Sequence, residues 1–285
     1  MRVGFSILVG LIVLASISST KLAFAESQLV FGVVPQQSAS RLARIWLPVT
    51  KHLSSKTGFS IRFATAKDIP TFEACLAGAA YDIAYMNPYH YVVFHEQSGY
   101  RAIAHQQDKK LKGILVTRKD ANIETLTDLQ GKAVAFPSPA AFGASILPRA
   151  ELRMRGIEII PEYVESHDSV YRAVASGFMV AGGGVGRTWR TIAEDIRKDL
   201  RIFYETGAFT PHAFAVLDSL RESDVKLLQE VLVDISVEDP KILESIGMSG
   251  IVKAQDSDWD DVRALSISKE EAQVNDGSDS KCHSN

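Results

Sequence analysis

The chain has 285 residues, 46% of them hydrophobic and 23% charged, with a formal net charge of -3 at pH 7. That composition excludes a chain disordered over most of its length. A slightly acidic balance offers no basic surface for a polyanion, so no nucleic acid is expected as a partner.

The first 25 residues form a separate element. Arg2 gives a positive start, residues 3–17 are almost continuously apolar, and Ala23-Phe24-Ala25 supplies a small-x-small cleavage pattern. This is the build of a secretory signal peptide cut after Ala25. Its apolar run of about 15 residues is short for the roughly 20 that a membrane-spanning helix needs. Removing the leader, with Arg2 and Lys21, takes the net charge from -3 to -5.

The rest alternates strand and helix. Residues 29–34 are a short apolar run ended by Pro35, a buried strand. Leu42, Ile45, Trp46, Val49 and Leu53 recur at helical spacing before Gly58. A strand at 60–66, a helix at 69–76, a strand at 81–86 and a helix at 89–97 follow. Strands are predicted at 101–105 and 113–117, closing a first block. The second block opens near Arg118, with capping-box spacing in Thr125-Leu126-Thr127-Asp128. It continues as a strand at 133–136, a helix at 144–155, a strand at 157–164 and a helix at 169–175. A glycine-rich loop, Gly182-Gly183-Gly184-Val185-Gly186, leads into a helix at 188–198 and a strand at 200–204. The third block has a strand at 212–217, a helix with one apolar face at 225–235 and a last helix at 259–265. Beyond Ile267 the chain is polar and expected to be disordered. Such alternation predicts an α/β fold with largely parallel sheets.

Cys75 lies in an apolar helical stretch and Cys282 in the polar tail. An exported chain could pair them, but their context suggests no bridge. Cys75 reads as a core residue. The seven histidines form no standard metal-ligand spacing, so no metal or other cofactor is expected.

A series of short segments carries a family resemblance. They are Gly32-Val33-Val34-Pro35-Gln36, Gly78 with Tyr81-Asp82-Ile83-Ala84, and Asn87-Pro88-Tyr89. Next come Thr127-Asp128-Leu129-Gln130-Gly131-Lys132, Ala135-Phe136, and Ser166-His167-Asp168 leading to Ala173-Val174 and Gly177. In this order, over roughly residues 29–235, the chain resembles the periplasmic solute-binding proteins of ABC transporters, in the phosphate/phosphite/phosphonate-binding subgroup. The resemblance implies a two-lobed periplasmic binding protein fold of type II. Each lobe would be a mainly parallel sheet flanked by helices, the two joined by two hinge crossings, with ligand in the cleft. Lobe 1 would comprise 26–117 plus 211–267, and lobe 2 residues 118–210. It further implies a periplasmic monomer whose partners are a small anionic ligand and an inner-membrane ABC permease. Similar domains serve instead as sensing partners of membrane histidine kinases.

Candidate ligand groups follow from the residues. The turn Ser138-Pro139-Ala140-Ala141-Phe142 joins a strand to a helix, whose free N–H groups and partial positive charge suit an anion. Relatives are expected to carry hydroxyls where Ala140 and Ala141 stand, so backbone donors must serve here. Asn87 and Tyr89 follow a strand at its C-terminal end, where α/β sheets place ligands, and Gln36 follows another. His167 aligns with the family's histidine and could donate to an anion. Arg187 could hold a carboxylate or phosphate with two bonds. The family usually has Asp near Val180 to meet an amine, so a ligand without an amine is expected.

Two enzyme readings fail. Adjacent Ser166-His167-Asp168 cannot form a relay, which needs a base held between nucleophile and orienter. The segment GGGVGRT has the glycines of a phosphate loop but not its spacing or its lysine. With no G-x-S-x-G or H-E-x-x-H either, no enzyme is expected.

Overall fold

The computed structural model describes residues 28–275, Gly277 and Cys282. The expected signal peptide lies outside the described residues. No helix among them is long and apolar enough to cross a membrane.

Among the described residues, eleven strands form two sheets. They are β1 (Leu29–Val33), β2 (Ile61–Ala64), β3 (Ile83–Met86), β4 (Tyr100–Gln106), β5 (Leu111–Arg118), β6 (Ala133–Phe136), β7 (Ile160–Tyr163), β8 (Ala181–Val185), β9 (Leu200–Phe209), β10 (Ala213–Leu217) and β11 (Ile251–Lys253). The first sheet has the order β11-β4-β10-β3-β1-β2, the second β7-β6-β8-β5-β9. The chain passes between them twice, from β4 to β5 and from β9 to β10.

The sheets are mixed rather than mainly parallel. β2, β1 and β3 run parallel, as do β7, β6 and β8. β10 is antiparallel to β3 and β4, and β5 is antiparallel to β8 and β9. The crossings are the reason. A strand that arrives from the other lobe starts at the interlobe side. The parallel strands end on that side, so the arriving strand must run against them. Ala213, first in β10, sits opposite Met86, last in β3; Gly113 in β5 sits opposite Val185, last in β8.

The strand at 113–117, expected with the first block, belongs to the second sheet, because β5 pairs on both sides with β8 and β9. The first crossing therefore lies before Leu111, not after Thr117. The glycine-rich segment is also not a loop. Gly182, Gly183 and Gly184 are the middle of β8.

Aromatic packing organises the first lobe. Trp46, on the helix Ala39–Thr57, is fully buried. Its ring centroid lies 5.8 Å from Phe31, edge to face, and 4.6 Å from Tyr85. Such pairs add about 0.5–1.5 kcal/mol beyond the burial of their area. Because Tyr85 is on β3, this cluster reaches from the core to the cleft. The second lobe has two smaller clusters, one on each face of its sheet, around Phe136 and around Tyr171.

The expectation of disorder fails for the described residues of the polar tail. Cys75 and Cys282 form a disulfide, which closes 207 residues of sequence separation. Lys269–Ala272 is a helical turn. The Asn275 N–H donates to Glu73 Oε2 at 2.9 Å, and Glu73 is a fully buried carboxylate also 3.0 Å from His90 Nε2. Glu271 pairs with Arg153 and its carbonyl accepts from Arg149, both on the second-lobe helix Leu147–Met154. Composition alone misleads here. A covalent bond and a buried carboxylate hold a segment whose own side chains bury little.

Candidate functional site

The C-terminal ends of all six parallel strands point into the space between the lobes. This is where open α/β sheets leave backbone groups free for a ligand. β1 leads to Val34 and Gln36, β2 to the helix start at Ile69, and β3 to Asn87. From the second lobe β6 leads to the turn at 137–141, β7 to His167 and β8 to Gly186 and Arg187.

These ends enclose a small cavity. It is lined by Val34, Gln36, Ile69, Asn87 and His212 on one side and by residues 141–144, His167 and Val185 on the other. The lobes close it to about 10 Å³ of space for the centre of a water-sized sphere, room for roughly one water. A tetrahedral oxyanion is larger, so both its entry and its accommodation require the lobes to part from this spacing.

The turn that follows β6 is fitted to the sheet by glycines facing it. Phe142–Ile146 is a π-helical turn that runs into the helix Leu147–Met154. The N–H groups of Phe142, Gly143 and Ala144 come before any carbonyl of that helix can accept them. A Cβ on Gly183 would lie 1.8 Å from the Ala144 carbonyl oxygen, and one on Gly113 would lie 2.1 Å from that of Gly143. Only bare backbone at these two strand positions lets the turn lie directly on the sheet. Gly182 and Gly184 face the other side of β8, where a Cβ would lie 2.4 Å from Val170 Cγ1 and 2.1 Å from the Tyr171 hydroxyl oxygen, so contacts on both faces keep this strand glycine-rich.

Asn87 ties the lobes at this point. Its Oδ1 caps the helix Pro88–Ser98 by accepting the His90 N–H at 2.8 Å. Its Nδ2 donates across the cleft to the Ala140 carbonyl at 3.1 Å. Gln36 Nε2 lies 3.1 Å from His212 Nε2, and the Tyr85 ring stacks on His212 with centroids 5.1 Å apart. With the amide donating, that ring nitrogen is an unprotonated acceptor. His167 Nδ1 lies 3.4 Å from Thr188 Oγ1, which is also 2.8 Å from the Tyr171 hydroxyl.

Both histidines are neutral at pH 7. Burial pushes His167 down to about 4. Burial also pushes His212 well below the usual range, and the nearby Arg187, His90 and His167 push it the same way. The cavity thus offers neutral hydrogen-bond donors and a helix start, not fixed cations.

The structure brings Gln36, Asn87, Ala141, Phe142 and His167 together around this cavity. Arg187 lies in an adjoining chamber. Two candidates lie elsewhere. Tyr89 turns away, and its hydroxyl donates to the Ile267 carbonyl at 2.9 Å. Ser138 is buried, its Oγ lacks a hydrogen-bond partner among the described residues, and it does not line the cavity. Val180 immediately precedes β8, at the end away from the cleft, so its identity bears on no ligand group there. Sequence reasoning missed His212, Tyr85 and Gly143. The position of His212 just ahead of an apolar strand was the available signal for it, but only the crossing places it opposite Gln36.

Two α/β lobes, two crossings and a polar cavity at the strand ends define a cleft-type solute-binding protein. The comparisons with known proteins agree. The family model for "ABC transporter, phosphonate, periplasmic substrate-binding protein" matches residues 31–259, and the chain belongs to this family. It is a family of transporter substrate-binding proteins rather than enzymes, and its members work outside the cytoplasm. A phosphate-import protein PhnD of Mycolicibacterium smegmatis is 24% identical, with 86% of this chain and 87% of that one covered. Among solved structures, a binding protein component of an ABC phosphonate transporter from Pseudomonas aeruginosa superposes with a TM-score of 0.76. Its identity is 16%, over 88% of this chain and 89% of that one. PhnD1 from Prochlorococcus marinus, in complex with methylphosphonate, has a TM-score of 0.74 at 19% identity, over 84% and 96%.

Proposed function

We propose that the interlobe cavity captures a small phosphorus oxyanion, a phosphonate or phosphate, in the periplasm for import by an inner-membrane ABC permease. Export would follow cleavage after Ala25. The observation that carries this reading is the meeting of the helix-start N–H groups of Phe142, Gly143 and Ala144 with Asn87, Gln36 and two neutral histidines in one buried cavity. Helix-start donors favour an anion, and in a dehydrated site each bond to an anion counts for more than in water. The names of the relatives support it: one imports phosphate and one was solved with methylphosphonate.

The missing hydroxyls at Ala140 and Ala141 do not count against this reading. Ala140 contributes its carbonyl to Asn87, and Ala141 lines the cavity with backbone beside it. Affinity then depends on backbone donors held in place by β8.

Calorimetric titration of the mature chain, residues 26–285, tests the proposal. The tail stays in because Cys282 is bonded to Cys75. The panel is phosphate, phosphite, methylphosphonate, sulfate and acetate. Saturable binding of at least one phosphorus oxyanion, weakened in Asn87→Ala, is expected. Binding of sulfate or acetate alone would overturn the phosphorus reading.

A further inference from the structure

A second chamber adjoins the sealed cavity. Gln36, Val185 and His212 belong to the walls of both. On the same count of space as above, the chamber holds about 180 Å³ against about 10 Å³. A substituent on an anion bound in the small cavity can extend in this direction past the shared wall.

The chamber is cationic. Arg187, Lys109, Lys110 and Lys112 line it, and Glu205 is the single carboxylate among the lining residues. Glu205 is engaged by Lys112 at 3.4 Å, and Lys110 lies 3.8 Å from Asp261. Arg187 and Lys109 have no carboxylate partner among the described residues. Arg187 Nη2 donates to the Tyr85 hydroxyl at 3.1 Å, and its guanidinium lies 5.7 Å from the centre of that ring. The bond to Tyr85 takes one guanidinium N–H, and no other hydrogen-bond partner of Arg187 occurs among the described residues. The Lys109 ammonium is held below the usual lysine range, by burial and then by the Arg190 and Arg187 charges. Like charges so gathered repel one another until an anion joins them.

We propose that this chamber is a second anion subsite, and that the substrate class is a phosphonate whose carbon substituent ends in a carboxylate. The phosphorus group occupies the sealed cavity and the carboxylate meets Arg187 and Lys109. The inference rests on the phosphonate reading above. A guanidinium takes a carboxylate with two parallel bonds. An aminoalkyl substituent would meet cations instead, with the one lining carboxylate already paired.

The test is calorimetry with four probes: methylphosphonate, 2-aminoethylphosphonate, phosphonoacetate and 3-phosphonopropionate. It is run on the mature chain and on Arg187→Gln and Lys109→Gln. At least one phosphonocarboxylate should bind about tenfold or more tighter than methylphosphonate, and 2-aminoethylphosphonate should bind more weakly than either. In Arg187→Gln the ratio between phosphonocarboxylate and methylphosphonate should fall toward one. If Arg187→Gln does not fold, Lys109→Gln, at the exposed rim, carries the same comparison with a smaller fall. An aminoalkylphosphonate that binds as tightly as the phosphonocarboxylates overturns the proposal. So does a ratio that survives both substitutions. If methylphosphonate binds and the phosphonocarboxylates gain nothing, the subsite falls alone. If none of the four binds, the phosphonate reading falls and this one with it.

Discussion

The sealed cavity and the outer chamber share three wall residues yet attract charge by different means. The inner one is lined by the start of a helical turn, an amide pair and neutral histidines, all buried except the half-buried Gln36. The outer one is made of long cationic side chains at a rim. Backbone donors on a rigid sheet are placed by the fold, so disturbing them disturbs the lobe. The chamber's cations sit on long stems with few polar contacts each, and they exert a field screened by salt within about 10 Å. The contrast teaches that orientation and attraction are separated here, and each can be removed without the other.

The largest expected effect comes from breaking the inner region's support. Gly183→Ala puts a methyl 1.8 Å from the Ala144 carbonyl, a backbone atom that cannot swing aside. We expect about 1–3 kcal/mol of lost stability and at least about a tenfold loss of methylphosphonate affinity. Urea unfolding and calorimetry read the two.

Next is the tail. Cys282→Ser releases the bond that holds the tail to the first lobe, where the Asn275 N–H reaches the buried Glu73 beside His90. A loss of about 2–4 kcal/mol is expected, and chemical reduction of the native chain should reproduce it. Unchanged unfolding midpoints would mean that the tail is held without its bridge.

Acid separates the two regions by pH. The folded-state His167 titrates near 4, below its ordinary 6.5. Between those values the unfolded chain binds a proton that the folded chain does not. Stability is therefore full above about pH 6.5 and is lost as pH falls toward 4, by up to about 3 kcal/mol for this group. His212 adds to the same trend. His167→Gln should flatten the pH dependence of the melting temperature. A profile as steep as that of the native chain would remove His167 as its source.

The smallest effect belongs to the rim. Lys112→Ala breaks an exposed pair with Glu205 and should change stability by about 0–1 kcal/mol, less in high salt.

Much of this was legible in the sequence. Apolar runs ending in Pro35 and in Asn87-Pro88 located β1 and β3 and the cleft side of each. The strand-to-helix turn after β6 was legible too, and it lines the cavity; its anion role is the proposal. What escaped notice depends on tertiary contact. The triple glycine reads as a loop by composition, and only the tertiary contacts explain a glycine strand: the Ala144 carbonyl against Gly183 on one face, Val170 and Tyr171 against Gly182 and Gly184 on the other. Tyr89 has the residue type of a ligand wall, but helical geometry one position after Pro88 sends it to the tail. The Cys75–Cys282 bond joins segments that nothing local relates. β5 was assigned to the wrong sheet because its residues fit either one; the pairing with β8 and β9 decides it.

The most direct test follows the three N–H groups at the start of the anion turn. Amide proton and nitrogen shifts of the labelled mature chain would be recorded during titration with methylphosphonate. The account predicts that Phe142, Gly143 and Ala144 show the largest downfield proton shifts, saturating together with the calorimetric binding curve. Saturable binding that leaves those three amides in place, and moves only residues around Lys109 and Arg187, would contradict it.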